Sequence, residues 1–144
     1  MRKARCLILL LGFTGCWLAA NAQDVVLVAN RSVQISQIGI VDVRAIFLGT
    51  KSRFADGTRA VPVTLKGGPA HEVFLKNYLG ESSGEFHAQW RKAVFTGQGA
   101  MPRAFETESA LLDYVASTPG AVGYVSRISV QDRVKRIGIV KQRP

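Results

Sequence analysis

Four stretches of this chain carry a strand pattern, and four carry a helical one. Asp24-Val25-Val26-Leu27-Val28-Ala29-Asn30 is a continuous apolar run, rich in valine and polar at both ends. Such a run reads as a buried, central strand. Ala60 to Leu65, Ala121 to Val125 and Val134 to Val140 read as three more. Pro62 lacks an amide for the ladder, which places it at a strand start or an edge. The lysine and arginine of Val134-Lys135-Arg136-Ile137-Gly138-Ile139-Val140 suit an exposed sheet edge. Between the strands, Asp42 to Gly49 predicts a short helix with Ile38, Val41, Ala45 and Leu48 at helical spacing and Phe47 buried near its end. A second helix runs from Pro69-Ala70 to about Leu79, with Ala70, Phe74 and Tyr78 on one face. A third runs to about Phe95, with Phe86, Trp90 and Val94 at four-residue spacing. The fourth covers Glu108 to about Ser117, with Leu111, Tyr114 and Val115 inward.

The punctuation fits this segmentation. Pro69 suits a first helical turn, where its missing N–H costs nothing. Ser82 and Glu85 have capping-box spacing, and Thr107 is a good N-cap ahead of Glu108. Gly49 and Gly80 end helices, and Asp56-Gly57 marks a tight turn whose Phe54 pins the loop to the core. Ala100 to Glu106 reads as an irregular connection. Strands alternating with helices predict an α/β three-layer sandwich, with a mixed, mostly parallel sheet of four to five strands and helices on both faces.

The first 22 residues are set apart from this pattern. Arg2, Lys3 and Arg5 form a basic segment, an apolar run follows from Cys6 to Phe13, and Ala20-Asn21-Ala22 carries small residues at cleavage-site spacing. That is a secretory signal peptide, and residues 23–144 then form a single domain. The apolar run is interrupted by Gly12, Thr14 and Gly15, short of the ~20 residues of a membrane span. Phe13-Thr14-Gly15-Cys16 approximates a lipidation signal, which leaves lipoprotein anchoring at Cys16 as an alternative. Both cysteines lie in this leader, so the mature chain has no disulfide and no thiolate chemistry. The whole chain has a formal charge of +9, and loss of the three leader cations leaves +6.

Candidate chemistry is sparse. His71 and His87 are isolated, and no His, Cys, Asp or Glu cluster has metal-ligand spacing. The expectation is no enzyme, no metal and no cofactor. Aromatic residues are not interleaved with the cations as in a stacking platform, which argues against nucleic acid. An anionic solute or an anionic surface fits the charge, as does a plain solvated face. Asn30 and Ser32 follow the first strand at its carboxyl end, where open α/β sheets bind ligands, and both also suit turn hydrogen bonding.

A family resemblance spans nearly all of the mature chain. Ile46-Phe47-Leu48-Gly49, Phe54 with Asp56-Gly57, Val61-Pro62-Val63, Phe95-Thr96-Gly97-Gln98-Gly99 and Thr118-Pro119-Gly120-Ala121-Val122-Gly123-Tyr124-Val125 follow one another in the order of one lobe of the phosphate-type periplasmic solute-binding proteins of ABC transporters. The last of these is very close to that family's T-P-G-A-I-G-Y-V. The resemblance implies a type II periplasmic-binding lobe, a periplasmic location and a small oxyanion such as phosphate as ligand. It also implies an anion site where the family's Ser-Gly-Thr run opens a helix. Here Gly68-Pro69-Ala70 occupies that place, so both hydroxyls and one amide are gone, and the family's preceding arginine falls near Leu65, beside Lys66. Lys66 and the backbone amides of Gly68, Ala70 and His71, with Ser32, are the candidate ligand contacts. Family members close two lobes over the solute, and a chain with one lobe needs a second copy or an envelope protein to supply the other wall. The alternative is an interaction or adaptor module that kept the lobe and lost the solute.

Overall fold

The computed structural model describes residues 24–141, and the leader with its two cysteines, its cleavage position and Cys16 lies outside them. In chain order the elements are β1 (Val25–Ala29), β2 (Gln37–Gly39), α1 (Ile40–Phe47), β3 (Val61–Leu65), α2 (Pro69–Phe74), α3 (Ser83–Phe95), β4 (Arg103–Phe105), α4 (Glu108–Ser117), β5 (Ala121–Ser126) and β6 (Lys135–Val140). A π-helical turn, Leu75–Leu79, prolongs α2, and a single 3-10 turn, Arg127–Ser129, follows β5. The strands form one six-stranded mixed sheet in the order β2-β6-β1-β5-β3-β4. The β2–β6, β5–β3 and β3–β4 pairs are parallel, whereas β1 is antiparallel to both neighbours. The three-layer α/β sandwich is therefore the architecture, with one strand more than the upper expectation.

β5 shows how the layers are fixed. All six of its residues are buried, as a strand covered on both faces requires. On one face the Tyr124 ring stacks on Phe74 of α2 at 3.9 Å and lies 6.0 Å from Phe47 of α1. On the other face Gly123 makes room for α4, since a Cβ there would stand 2.9 Å from Leu111 Cδ2. α3 packs through Phe86 and Trp90, whose indole N–H donates to the Phe47 carbonyl at 3.1 Å.

Most of the expected helix ends are present. Gly49 and Gly80 adopt φ of +80° and +73° after α1 and the π turn. Ser82 and Glu85 form the reciprocal capping box, and the Thr107 hydroxyl accepts from the Ala110 amide at 3.1 Å. Pro69 opens α2, and Phe54 is buried beneath its loop.

Several expectations need correction. The inward face of α1 is Val43, Ile46 and Phe47, not Ile38, Val41, Ala45 and Leu48. Ile38 belongs to β2, so helical spacing counted from it starts in the wrong element, and Val41 is 57% exposed. Val94 likewise leaves the Phe86–Trp90 face and is half exposed at the end of α3. β6 is not an edge. Its first half pairs with β1 and its second half with β2, while Lys135 Nζ donates to the Val33 carbonyl at 3.1 Å. Its cations project from the sheet rather than guarding it. The connection after Ala100 contains β4, the true edge beside β3.

Candidate functional site

The parallel arrangement of β3 and β5 brings their carboxyl ends together. The chain leaves β3 through Lys66-Gly67-Gly68, and Gly68 takes a φ of +93° that turns the backbone into α2. This places Leu65, Gly67, Gly68, Pro69 and Ala70 along one wall of an open cleft. The opposite wall is Glu106 from the β4–α4 connection, Glu108 at the start of α4, Ser126 at the end of β5, and Ile128 and Ser129 of the 3-10 turn. The amides of Gly68, Ala70 and His71 find no acceptor among the described residues, because intrahelical bonding begins with Glu72 N–H to the Gly68 carbonyl. Free N–H groups at a helix start are suited to an anion.

The electrostatics of the cleft are mixed. Lys66 is the cation at its mouth, and its ammonium is already paired with the Glu106 carboxylate. Glu108 takes two donors from Ser126, the amide at 2.9 Å and the hydroxyl at 2.7 Å. Ser126 and Ser129 hydroxyls lie 2.9 Å apart. An internal carboxylate thus sits on the β5 side of the cleft, and the β3–α2 side keeps its amides free.

Of the five candidate contacts, Gly68 and Ala70 line this cleft, and Lys66 and His71 adjoin them in the chain. Ser32 does not join them. It follows the carboxyl end of β1, and β1 is antiparallel to β5, so it lies at the opposite end of the sheet. There its hydroxyl accepts from the Gly120 amide at 2.9 Å, and its own amide donates to Asn30 Oδ1. Asn30 Nδ2 in turn donates to the carbonyls of Val115 and Ala116, at 2.8 and 3.0 Å, which satisfies the end of α4. This pair ties a turn to a helix terminus. Glu106, Glu108, Ser126 and Ser129 were missed from sequence. Their proximity depends on which strands are neighbours, and no local pattern signals it.

His71 is neither a surface residue nor a cleft side chain. It is 1% exposed, and its Nδ1 lies 2.5 Å from Tyr124 Oη, which also accepts the Leu65 amide at 3.1 Å. The arrangement with fewest orphan groups has the tyrosine hydroxyl donating to Nδ1, which leaves only the Nε2 proton buried without a partner. Burial holds the His71 pKa below the usual imidazole value, with Glu72 opposing and His87 adding to the shift. Burial also raises the Tyr124 phenol above its ordinary range. This pair fixes the start of α2 against the end of β3, and so sets where the free amides point.

Among the described residues no helix is long and apolar enough to cross a membrane. No family model matches the sequence, and no curated protein does. Solved structures do match in fold. An ABC-type phosphate transport receptor from Vibrio cholerae superimposes with a TM-score of 0.61 at 16% identity, over 80% of this chain and 45% of that one. A putative phosphate ABC transporter substrate-binding protein from Clostridium perfringens, solved with bound phosphate, gives 0.59 at 15% identity over 80% and 44%. PstS from Borrelia burgdorferi gives 0.59 at 12% identity over 83% and 48%. This chain spans less than half the length of these three proteins, and at such identities the likeness shows a shared fold: the chain folds like one lobe of a phosphate-receptor protein.

Proposed function

We propose that this chain is an exported, non-enzymatic, single-lobe binding module that receives a small oxyanion such as phosphate in the cleft between β3–α2 and β5. The observation that carries this reading is the set of amides at Gly68, Ala70 and His71, unpaired among the described residues and opening onto the cleft beside Lys66. The fold likeness to proteins named as phosphate receptors supports it. Residues 1–22 act as the leader, and residues 23–144 as the lobe. With one wall and the carboxylates of Glu106 and Glu108 close by, binding is weak, in the millimolar range. Exposed charge contacts contribute only about 0–1 kcal/mol each.

Isothermal titration with phosphate and with sulfate in low salt tests this reading. Saturable heat at millimolar anion, weakened by Lys66→Ala, supports it. A flat titration with a folded protein refutes it. A second reading is favoured by the internal pairing of Lys66 with Glu106 and of Ser126 with Glu108. Those contacts occupy groups an anion would use, as in an adaptor that kept the lobe for a protein partner. Co-purification of a stable envelope protein without bound anion would support that alternative.

A further inference from the structure

At the other end of β3 from the cleft, the carboxyl end of α3 carries an apolar knob. Phe95 is 94% exposed there, with its chain neighbour Val94 half exposed. The loop after α3 is held down rather than extended. Gln98 N–H donates to the Ala93 carbonyl at 2.9 Å, and Gly99 packs against the Trp90 ring, which is itself hydrogen-bonded to the Phe47 carbonyl. The knob is thus presented on a fixed platform.

Its surroundings are cationic. From Phe86 to Phe105 the sequence has no carboxylate, while Arg91 and Lys92 lie in the last turns of α3 beside Phe95. Arg59 and Arg103 share one groove with Met101 and Trp90. A protruding aromatic with Arg91 and Lys92 one helical turn away places its ring among acyl chains while the cations meet phosphate headgroups. A second copy of the chain is disfavoured because it would bring like charges together.

We propose that the Phe95 end of the molecule is an interfacial docking surface for anionic phospholipid. It is spatially separate from the cleft and independent of whether an oxyanion binds there. Vesicle flotation tests it. The 144-residue chain is expressed and purified in the form the host leaves it, its N-terminus is read by mass spectrometry, and wild type and variants are compared in that same form. Wild type floats with vesicles containing phosphatidylglycerol and not with pure phosphatidylcholine, and high salt weakens the binding. Phe95→Ser lowers the partition coefficient about tenfold. Arg91→Glu with Lys92→Glu lowers it by about twentyfold or more, at roughly fivefold per cation lost. Both sites are exposed, and unchanged circular dichroism confirms the variants fold.

Three results would overturn the proposal. One is no difference between the variants and wild type on anionic vesicles, whether all float or none does. Another is a Phe95-dependent dimer in sedimentation equilibrium, which would make a second copy the occupant. The third is preferential capture by polyglutamate over vesicles, which would indicate an acidic protein instead.

Discussion

Tyr124→Phe isolates the hydroxyl that joins β3, α2 and β5. Phenylalanine fills the same volume, so the stack on Phe74 is kept and no cavity opens. What disappears is one oxygen serving two buried groups, the Leu65 amide and His71 Nδ1. Leaving a buried polar group unsatisfied costs roughly 1–3 kcal/mol. Two such groups make the expected loss about 2–6 kcal/mol. In a domain of about 120 residues, 1 kcal/mol corresponds to roughly 4 °C in Tm, so thermal denaturation followed by circular dichroism should show a drop of ~8–24 °C. His71→Leu supplies the matching corner of a double-mutant cycle. Once the imidazole is gone, Tyr124→Phe strands only the Leu65 amide, and its further cost falls to about 1–3 kcal/mol. A Tm change below about 2 °C for Tyr124→Phe alone would refute the claim that this oxygen is shared by two buried partners.

Other consequences follow from the same geometry. The lowered His71 pKa means that, as pH falls below the ordinary imidazole value, the unfolded chain takes up a proton before the folded one does. Stability is therefore full at neutral pH and declines on acidification through that window, and His71→Leu should flatten this part of the Tm–pH curve. Glu81 behaves oppositely. Burial and then Glu85 raise its pKa, and one carboxylate oxygen is buried without a partner. Its contribution is favourable in acid and lost as pH rises, so Glu81→Gln should raise Tm at pH 7 and change little at pH 4. Gly120→Ala should prevent normal folding or lower Tm by more than 10 °C, because φ is +75° and the new Cβ would lie 2.1 Å from the Arg59 carbonyl oxygen; unchanged melting would contradict the close approach. Glu106→Gln should free Lys66 and strengthen phosphate binding about threefold by titration calorimetry, a small effect because both partners are exposed.

The long elements were legible because their signals are local. The valine run of β1, the Ser82–Glu85 box, Thr107 and Pro69 each state a boundary within a few residues. β2 and β4 escaped because three residues cannot display a period of two. Their existence depends on the neighbours β6 and β3, which also explains why β6 read as an edge. The face of α1 was misread because β2 took Ile38 out of the helix. The candidate site was legible on one wall only. Gly68 and Ala70 follow β3 directly in the chain, whereas the carboxylates and serines opposite are brought there by strand order. Ser32 was drawn in by the rule that ligands lie at carboxyl ends of strands, and the antiparallel direction of β1 sends its end away from the cleft. His71 looked isolated in sequence, and its tyrosine partner is 53 residues distant.

A titration of the 15N-labelled protein with phosphate, followed amide by amide in heteronuclear NMR spectra at low salt, tests the central claim most directly. The account predicts saturable shifts concentrated at Gly67, Gly68, Ala70 and His71, with smaller ones at Lys66 and Ser126 and none at Ser32. No shift up to tens of millimolar phosphate, or shifts confined to other surfaces, would contradict it.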